Sequence, residues 1–312
     1  MWRKDERKAI EKFGENHKRF GEKFGENFAN YERATRNFGH STKQRNWDKP
    51  SCSGKANFRA QSKGENSQNW FGQRRTLGGY GMTNFAIILA GGMGSRIGGD
   101  VPKQLLPLGD GRSILEHSVE AFEQADCICA IGIVMHADYI AAAQDLIRKK
   151  GWTKVKFVIA GGCERWESSV NAIREIEKII ETEERKNGIN VLLHDAARPF
   201  VSGRIIADVC AALEKHEAAT VAMPATDTIY MVDGDVVRSI PPRARLMCAQ
   251  TPQGFRLGTI AQAYRLALKD PAMQATDDCG ILHRYLPDVP IAIVQGEAAN
   301  RKITFREDLG ER

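Results

Sequence analysis

From residue 84 onward the sequence predicts an α/β fold: three layers, with a mostly parallel, twisted sheet carrying helices on both faces. Two observations predict it. Short apolar runs alternate along the chain with longer segments whose apolar residues recur at three- and four-residue spacing, the patterns of strand and amphipathic helix in turn. Clusters rich in glycine or charge follow the apolar runs, and open parallel sheets bind ligands beyond the carboxyl ends of their strands.

In chain order, strands are expected at 84–90, 128–135, 155–159, 191–194, 220–224 and 291–294, which are dominated by apolar residues. Helices are expected between them at 114–123, 139–149, 168–183, 205–215 and 257–268. The polar and charged stretch 227–245, with Pro241-Pro242, reads as an excursion from the sheet.

Residues 1–81 differ in texture. They are rich in Lys, Arg, Asn, Gly, Glu and Ser, with a loose repeat around Phe13-Gly14-Glu15-Asn16 and Phe24-Gly25-Glu26-Asn27, and almost no Val, Ile or Leu. Such a segment cannot bury enough apolar surface to offset ordering costs of about 1–2 kcal/mol per residue. It is expected to be a disordered basic extension, read as translated upstream sequence ahead of a start at Met82, leaving 82–312 as a single domain. It holds 18 Lys+Arg against 9 Asp+Glu, so the whole chain's +6 leaves the remainder acidic at −3. A nucleic-acid partner would rest on that extension alone, whose basic and aromatic residues could stack on a single strand.

No apolar run approaches the roughly 20 residues of a membrane helix, and the N-terminus lacks a signal-peptide layout, so a soluble cytoplasmic protein is expected. The seven cysteines show neither CxxC nor metal-ligand spacing and read as reduced and structural.

The first strand runs into Leu89-Ala90-Gly91-Gly92-Met93-Gly94-Ser95-Arg96-Ile97-Gly98 and then Pro102-Lys103-Gln104. Glycines let a backbone approach a ligand closely and aim N–H groups at phosphate oxygens, and Arg96 and Lys103 add positive charge. The loop reads as one for a nucleoside triphosphate. The dinucleotide pattern GxGxxG fails at Ile97, which weakens a nicotinamide dehydrogenase, and the Walker pattern fails because no Gly-Lys-Ser/Thr follows.

Leu89 to Gln104 resembles the nucleotidyltransferase signature, in the form carried by the 2-C-methyl-D-erythritol 4-phosphate and ribitol-5-phosphate cytidylyltransferases. The resemblance continues through Gly161-Gly162-Cys163-Glu164-Arg165 with Ser168, then His194-Asp195-Ala196-Ala197-Arg198-Pro199 and Thr226-Asp227-Thr228. It ends with Arg243, Thr251-Pro252-Gln253, Thr276-Asp277 and Asn300-Arg301-Lys302. It implies a Rossmann-like nucleotide-diphospho-sugar transferase fold with a protruding dimerisation arm at about 228–247, CTP and a small polyol phosphate as substrates, and Mg²⁺ as cofactor.

By the same resemblance, Arg96, Lys103 and Lys302 are the catalytic cations around the α-phosphate. Leu89, Ala90, Gly91, Gly92, Gly94, Gly161, Arg165 and Ser168 bind CTP. Asp195, Arg198, Thr228, Arg243, Thr251 and Thr276 bind the acceptor, with Arg243 reaching across from a partner in a homodimer. His194 is read as a packing residue, because a phosphate monoester is already ionised near neutrality, with a second pKa of about 6, and needs no base. Where many relatives carry an aspartate before the Asn-x-Lys motif this chain has Ala299, so no protein metal ligand is named. The expected reaction is transfer of CMP to 2-C-methyl-D-erythritol 4-phosphate with release of pyrophosphate, with ribitol 5-phosphate as the alternative acceptor. Leu89-Ala90-Gly91-Gly92 and Ile240-Pro241-Pro242-Arg243-Ala244 suit ribitol phosphate, and His194 to Arg198 with Gln250-Thr251-Pro252-Gln253 suits methylerythritol phosphate.

Overall fold

The computed structural model describes residues 58–59, 82–92, 101–180 and 188–309. Its strands are β1 (Phe58–Arg59), β2 (Thr83–Ala90), β3 (Ala130–Met135), β4 (Val155–Ala160), β5 (Ile189–Asp195), β6 (Ala218–Pro224), β7 (Met231–Asp233), β8 (Val236–Ser239), β9 (Met247–Arg256) and β10 (Ile291–Gln295). Its α-helices are α1 (Ile114–Gln124), α2 (Ile140–Lys150), α3 (Arg165–Ile179), α4 (Gly203–Lys215), α5 (Leu257–Ala267) and α6 (Asp278–Tyr285).

One sheet has the order β1-β4-β3-β2-β5-β9-β6-β10. β4, β3, β2 and β5 are parallel neighbours, β6 and β10 pair parallel, and β9 runs antiparallel between β5 and β6. The chain winds from β2 outward through β3 to β4 and then returns to the other side of β2 as β5. That reversal is a topological switch point, where the carboxyl ends of β2 and β5 leave a crevice.

The alternation of side chains along β2 explains why two helical layers cover the sheet. Phe85, Ile87 and Leu89 join one buried cluster with α3 and α5, while Ala86, Ile88 and Ala90 join another with α1 and α4. On α4, Ile205, Ile206, Val209 and Leu213 are wholly buried, each contributing about 1.5–3 kcal/mol by leaving water. Ser113 starts α1 with a capping box: its Oγ accepts from the Glu116 N–H at 3.2 Å, and its own N–H donates to the Glu116 carboxylate at 2.6 Å.

Several expectations shift in the structure. Helix α3 starts at Arg165, three residues before its expected position, because Glu167 accepts from the Cys163 and Glu164 N–H groups and closes the helix start there. Neither β9 nor α6 was expected. The excursion is present: β7 and β8 form a separate two-stranded hairpin turned at Gly234, whose φ of +57° favours glycine. Its two ends meet, since Pro224 pairs with Met247 and the Ala225 N–H donates to the Leu246 carbonyl at 3.0 Å.

Within the extension, Phe58–Arg59 pairs antiparallel with Val158 and Phe157 on β4, whose open edge offers backbone partners; the rest of 1–81 lies outside the described residues. Cys127, Cys129, Cys210, Cys248 and Cys279 are free thiols, whereas Cys163 is disulfide-bonded, which corrects the expectation that all seven are reduced. Among the described residues no helix is long and apolar enough to cross a membrane.

Candidate active site

The carboxyl ends of β2 and β5 lie side by side, with Leu89 opposite Asp195 and the Ala196 N–H donating to the Leu89 carbonyl at 3.0 Å. On the far side of β3, β4 ends at Gly161-Gly162. A Cβ on Gly161 would stand 2.8 Å from Ser168 Oγ and 3.3 Å from Gly91 Cα, so only glycine lets these two strand ends and the first turn of α3 meet. Ser168 is buried there, and its Oγ accepts from the Gly162 N–H at 3.2 Å.

These elements wall a cavity of about 410 Å³ lined by Leu89, Gly91, Gly92, Lys103, Gln104, Gly162, Cys163, Glu164, Arg165, Ser168, Asp195, Ala197, Lys302 and Thr304. Lys103 comes from a 3₁₀ turn (Lys103–Leu105), and its Nζ donates to the Ile303 carbonyl at 2.8 Å, tying it to the loop that carries Lys302.

Asp195 is the electrostatic centre. Arg165 Nε donates to its Oδ1 at 2.9 Å and Lys302 Nζ to its Oδ2 at 2.7 Å. Burial would raise its pKa, but the charges and hydrogen bonds of Arg165 and Lys302 outweigh burial and hold the carboxyl well below the usual carboxylate range. Arg165 shows the reciprocal effect. Burial works to lower its pKa, and Asp278 and Asp195 together raise it, so the guanidinium stays charged.

Behind Asp195 runs a relay of neutral groups. Its backbone N–H donates to Thr251 Oγ1 at 3.1 Å, and Thr251 Oγ1 lies 3.0 Å from His194 Nδ1. His194 Nε2 is 3.1 Å from the Arg198 carbonyl, which can only accept. Nε2 therefore carries the proton and the Thr251 hydroxyl donates to Nδ1. Burial lowers the His194 pKa to about 4, so the ring is neutral near pH 7, and it packs on Phe122 with ring centroids 5.0 Å apart. Thr251 can serve here because the β6–β9 register shifts between Thr220 and Val221, turning Thr251 and Pro252 out of the ladder toward β5.

The expected site residues divide into groups. Leu89, Gly91, Gly92, Arg165, Ser168, Asp195, Lys103 and Lys302 line the cavity. Ala90 and Gly161 sit behind its wall, Ala90 in the core and Gly161 against Gly91 and Ser168. Thr251 spends its hydroxyl inside the relay. Arg198 donates from Nη1 to the Asn300 carbonyl at 2.8 Å and from Nη2 to the Ala249 carbonyl at 3.2 Å. Thr228, Thr276 and Arg243 are exposed and are not among the lining residues, with Arg243 Nη1 donating to the Thr226 carbonyl at 3.0 Å. Gly94 and Arg96 lie outside the described residues. Sequence reasoning missed Asp278 and Tyr264. Asp278 directly follows the quoted Thr276-Asp277, and Tyr264 carries no signal beyond an apolar helix position.

A glycine-walled cavity at the switch point of a mostly parallel sheet, with cations facing a buried carboxylate, defines a nucleotide-handling α/β enzyme. The family model for 2-C-methyl-D-erythritol 4-phosphate cytidylyltransferase matches residues 84–311. A Thermobifida fusca protein of that name is 43% identical over 229 residues, which are 72% of this chain and 89% of the relative. A Haemophilus influenzae bifunctional ribulose 5-phosphate reductase/CDP-ribitol pyrophosphorylase is 38% identical over 72% of this chain and 46% of its own length. Among solved structures, 4-diphosphocytidyl-2C-methyl-D-erythritol synthase from Anaerococcus prevotii superposes with a TM-score of 0.63 at 26% identity, covering 73% of this chain and 93% of that one. The chain belongs to the 2-C-methyl-D-erythritol 4-phosphate cytidylyltransferase family, and so to the nucleotidyltransferases.

Proposed function

We propose that the chain transfers the cytidylyl group of CTP to the phosphate of 2-C-methyl-D-erythritol 4-phosphate and releases pyrophosphate, a step of isoprenoid precursor synthesis. The observation that carries the reading is the meeting of Gly91, Gly92, Lys103, Ser168 and Lys302 with Asp195 in one cavity. An acceptor phosphate oxygen attacks the α-phosphorus in line, its new P–O bond forming as the bond to the bridging oxygen of pyrophosphate breaks. Charge gathers on the phosphoryl oxygens, so the protein's task is positioning and neutralisation. Lys103 and Lys302, with Arg96 four residues after Gly92 in the sequence, supply the cations. Asp195 accepts hydroxyls of the polyol once Lys302 turns toward phosphate. Gly162, Ser168 and the adjoining backbone hold the base and ribose.

Mg²⁺ fits this site as a passenger of the triphosphate. The buried carboxylate among the described lining residues, Asp195, is engaged on both oxygens by cations, which suits metal coordination by phosphate and water oxygens. When bound, the ion neutralises triphosphate charge. We further propose a homodimer in which the hairpin of one subunit brings Arg243 to the acceptor phosphate of the other. Support comes from the exposed Ile229, Tyr230, Met231, Val232 and Val236 along that hairpin, a run that a partner would cover. A cytoplasmic location accords with a nucleoside triphosphate substrate.

The Haemophilus relative favours a second reading, in which ribitol 5-phosphate is the acceptor. Pyrophosphate release with CTP and each polyol phosphate in turn decides between them. The expected result is faster turnover, by kcat/KM, with 2-C-methyl-D-erythritol 4-phosphate, and a preference for ribitol 5-phosphate would reverse the assignment.

A further inference from the structure

Arg165 is held from behind as well as from the cavity. Asp278, the first residue of α6, is wholly buried, and a buried carboxylate persists only where cations and donors surround it. Arg165 Nη1 donates to its Oδ2 at 2.7 Å and the buried Tyr264 hydroxyl to its Oδ1 at 2.6 Å. Its backbone N–H donates to Gln253 Oε1 at 3.1 Å, and Gln253 Nε2 in turn donates to Asp277 Oδ2 at 2.7 Å. The guanidinium therefore bridges two carboxylates, with Nε on Asp195 and Nη1 on Asp278, while Nη2 bonds to no described residue. An arginine facing a single carboxylate tends to fork onto both of its oxygens. Asp278 divides Arg165 between two partners and so limits its hold on Asp195 to one oxygen.

We propose that Asp278, anchored by Tyr264, is a positioning residue for the transfer: it keeps Arg165 from gripping both oxygens of Asp195, so that Oδ2, held by Lys302 at 2.7 Å, passes to the acceptor's hydroxyls when Lys302 turns toward phosphate. The inference rests on the cytidylyltransferase reading and deepens it. Arg165, expected from the sequence to bind CTP, spends its Nε and Nη1 on the two carboxylates, so removing the Asp278 charge lets it close on Asp195, and the loss falls on the acceptor and spares the nucleotide.

The test uses the full chain with CTP and 2-C-methyl-D-erythritol 4-phosphate. Asp278→Asn is expected to raise the acceptor KM about tenfold while the Kd for CTP, measured by calorimetry, stays within about twofold. An unchanged acceptor KM, or equal losses for acceptor and CTP, would overturn the proposal. If Asp278→Asn folds poorly, Tyr264→Phe decides. It removes one hydroxyl at nearly constant volume and is expected to raise the acceptor KM about threefold with CTP binding unchanged, and no rise overturns the proposal. A readout independent of turnover separates this inference from the assigned reaction. The Arg165 Nε–H resonance, assigned with Arg165→Lys, should shift in Asp278→Asn, or in Tyr264→Phe where that variant decides. An unmoved resonance overturns the positioning role, whereas a wild-type chain that releases no pyrophosphate overturns the reaction itself.

Discussion

At the scale of single residues, the site works by holding ionisable groups in fixed states. His194 is kept neutral by burial, its pKa lowered from 6.5 to about 4. The unfolded chain takes up a proton on this ring near pH 6.5 and the folded chain does not until about pH 4, so the ring's contribution to stability is complete above pH 6.5. It is lost as the pH falls toward 4. Unfolding free energy from denaturant titration should therefore fall across that window, and His194→Asn should flatten the slope there while lowering overall stability. An unaltered slope in the variant would remove His194 as its source. Asp195, also depressed, acts at lower pH, below its ordinary 3.8. Most cavity residues were legible in the sequence because a glycine-rich stretch after an apolar run and a carboxylate ending one are costly unless used, while Lys103 and Lys302 were legible through the motifs that carry the family resemblance. Asp278 was not. A short polar run such as Thr276-Asp277-Asp278 reads as solvated turn, and only the fold reveals that Arg165 and Tyr264 arrive from other elements to satisfy it.

At the scale of elements, the six parallel strands and five of the helices follow directly from apolar periodicity, because each is buried by its own side chains. β9 escaped that reasoning for a physical reason. Its Gln250-Thr251-Pro252-Gln253-Gly254 stretch shows neither alternation nor β-branched runs, and its buried polar side chains are satisfied from outside by Asn300, Asp277 and His194. α6 is only eight residues long, too short for a clear helical period. The contact between strand ends at Gly91 and Gly161 gives an element-scale expectation. Gly161→Ala should cost about 1–3 kcal/mol of stability by overpacking and weaken CTP binding as Ser168 is pushed from its place. Gly203→Ala, at the start of α4 with nothing within 4 Å of the added methyl, should leave CTP binding and melting nearly unchanged. Calorimetric titration and thermal melts of both variants check this, and equal CTP affinity in the two would separate the Gly161 contact from nucleotide binding.

At the scale of the whole molecule, the proposed dimer makes a claim that no single subunit can satisfy. Lys103→Ala and Arg243→Ala, each inactive alone, should on mixing and subunit exchange recover about one quarter of wild-type activity, since half the dimers are mixed and one of their two sites is intact. Mixed dimers confirmed by mass that remain inactive would show that Arg243 serves its own subunit or none. The closure of the hairpin at Pro224 and Met247 has a consequence for inheritance. Because the excursion leaves and re-enters the sheet at facing positions, the gene segment encoding 225–246 can be exchanged, lengthened or lost between descendants while the strands on either side keep their register. Lineages of this fold can therefore acquire new hairpins by recombination without rebuilding the crevice beneath them.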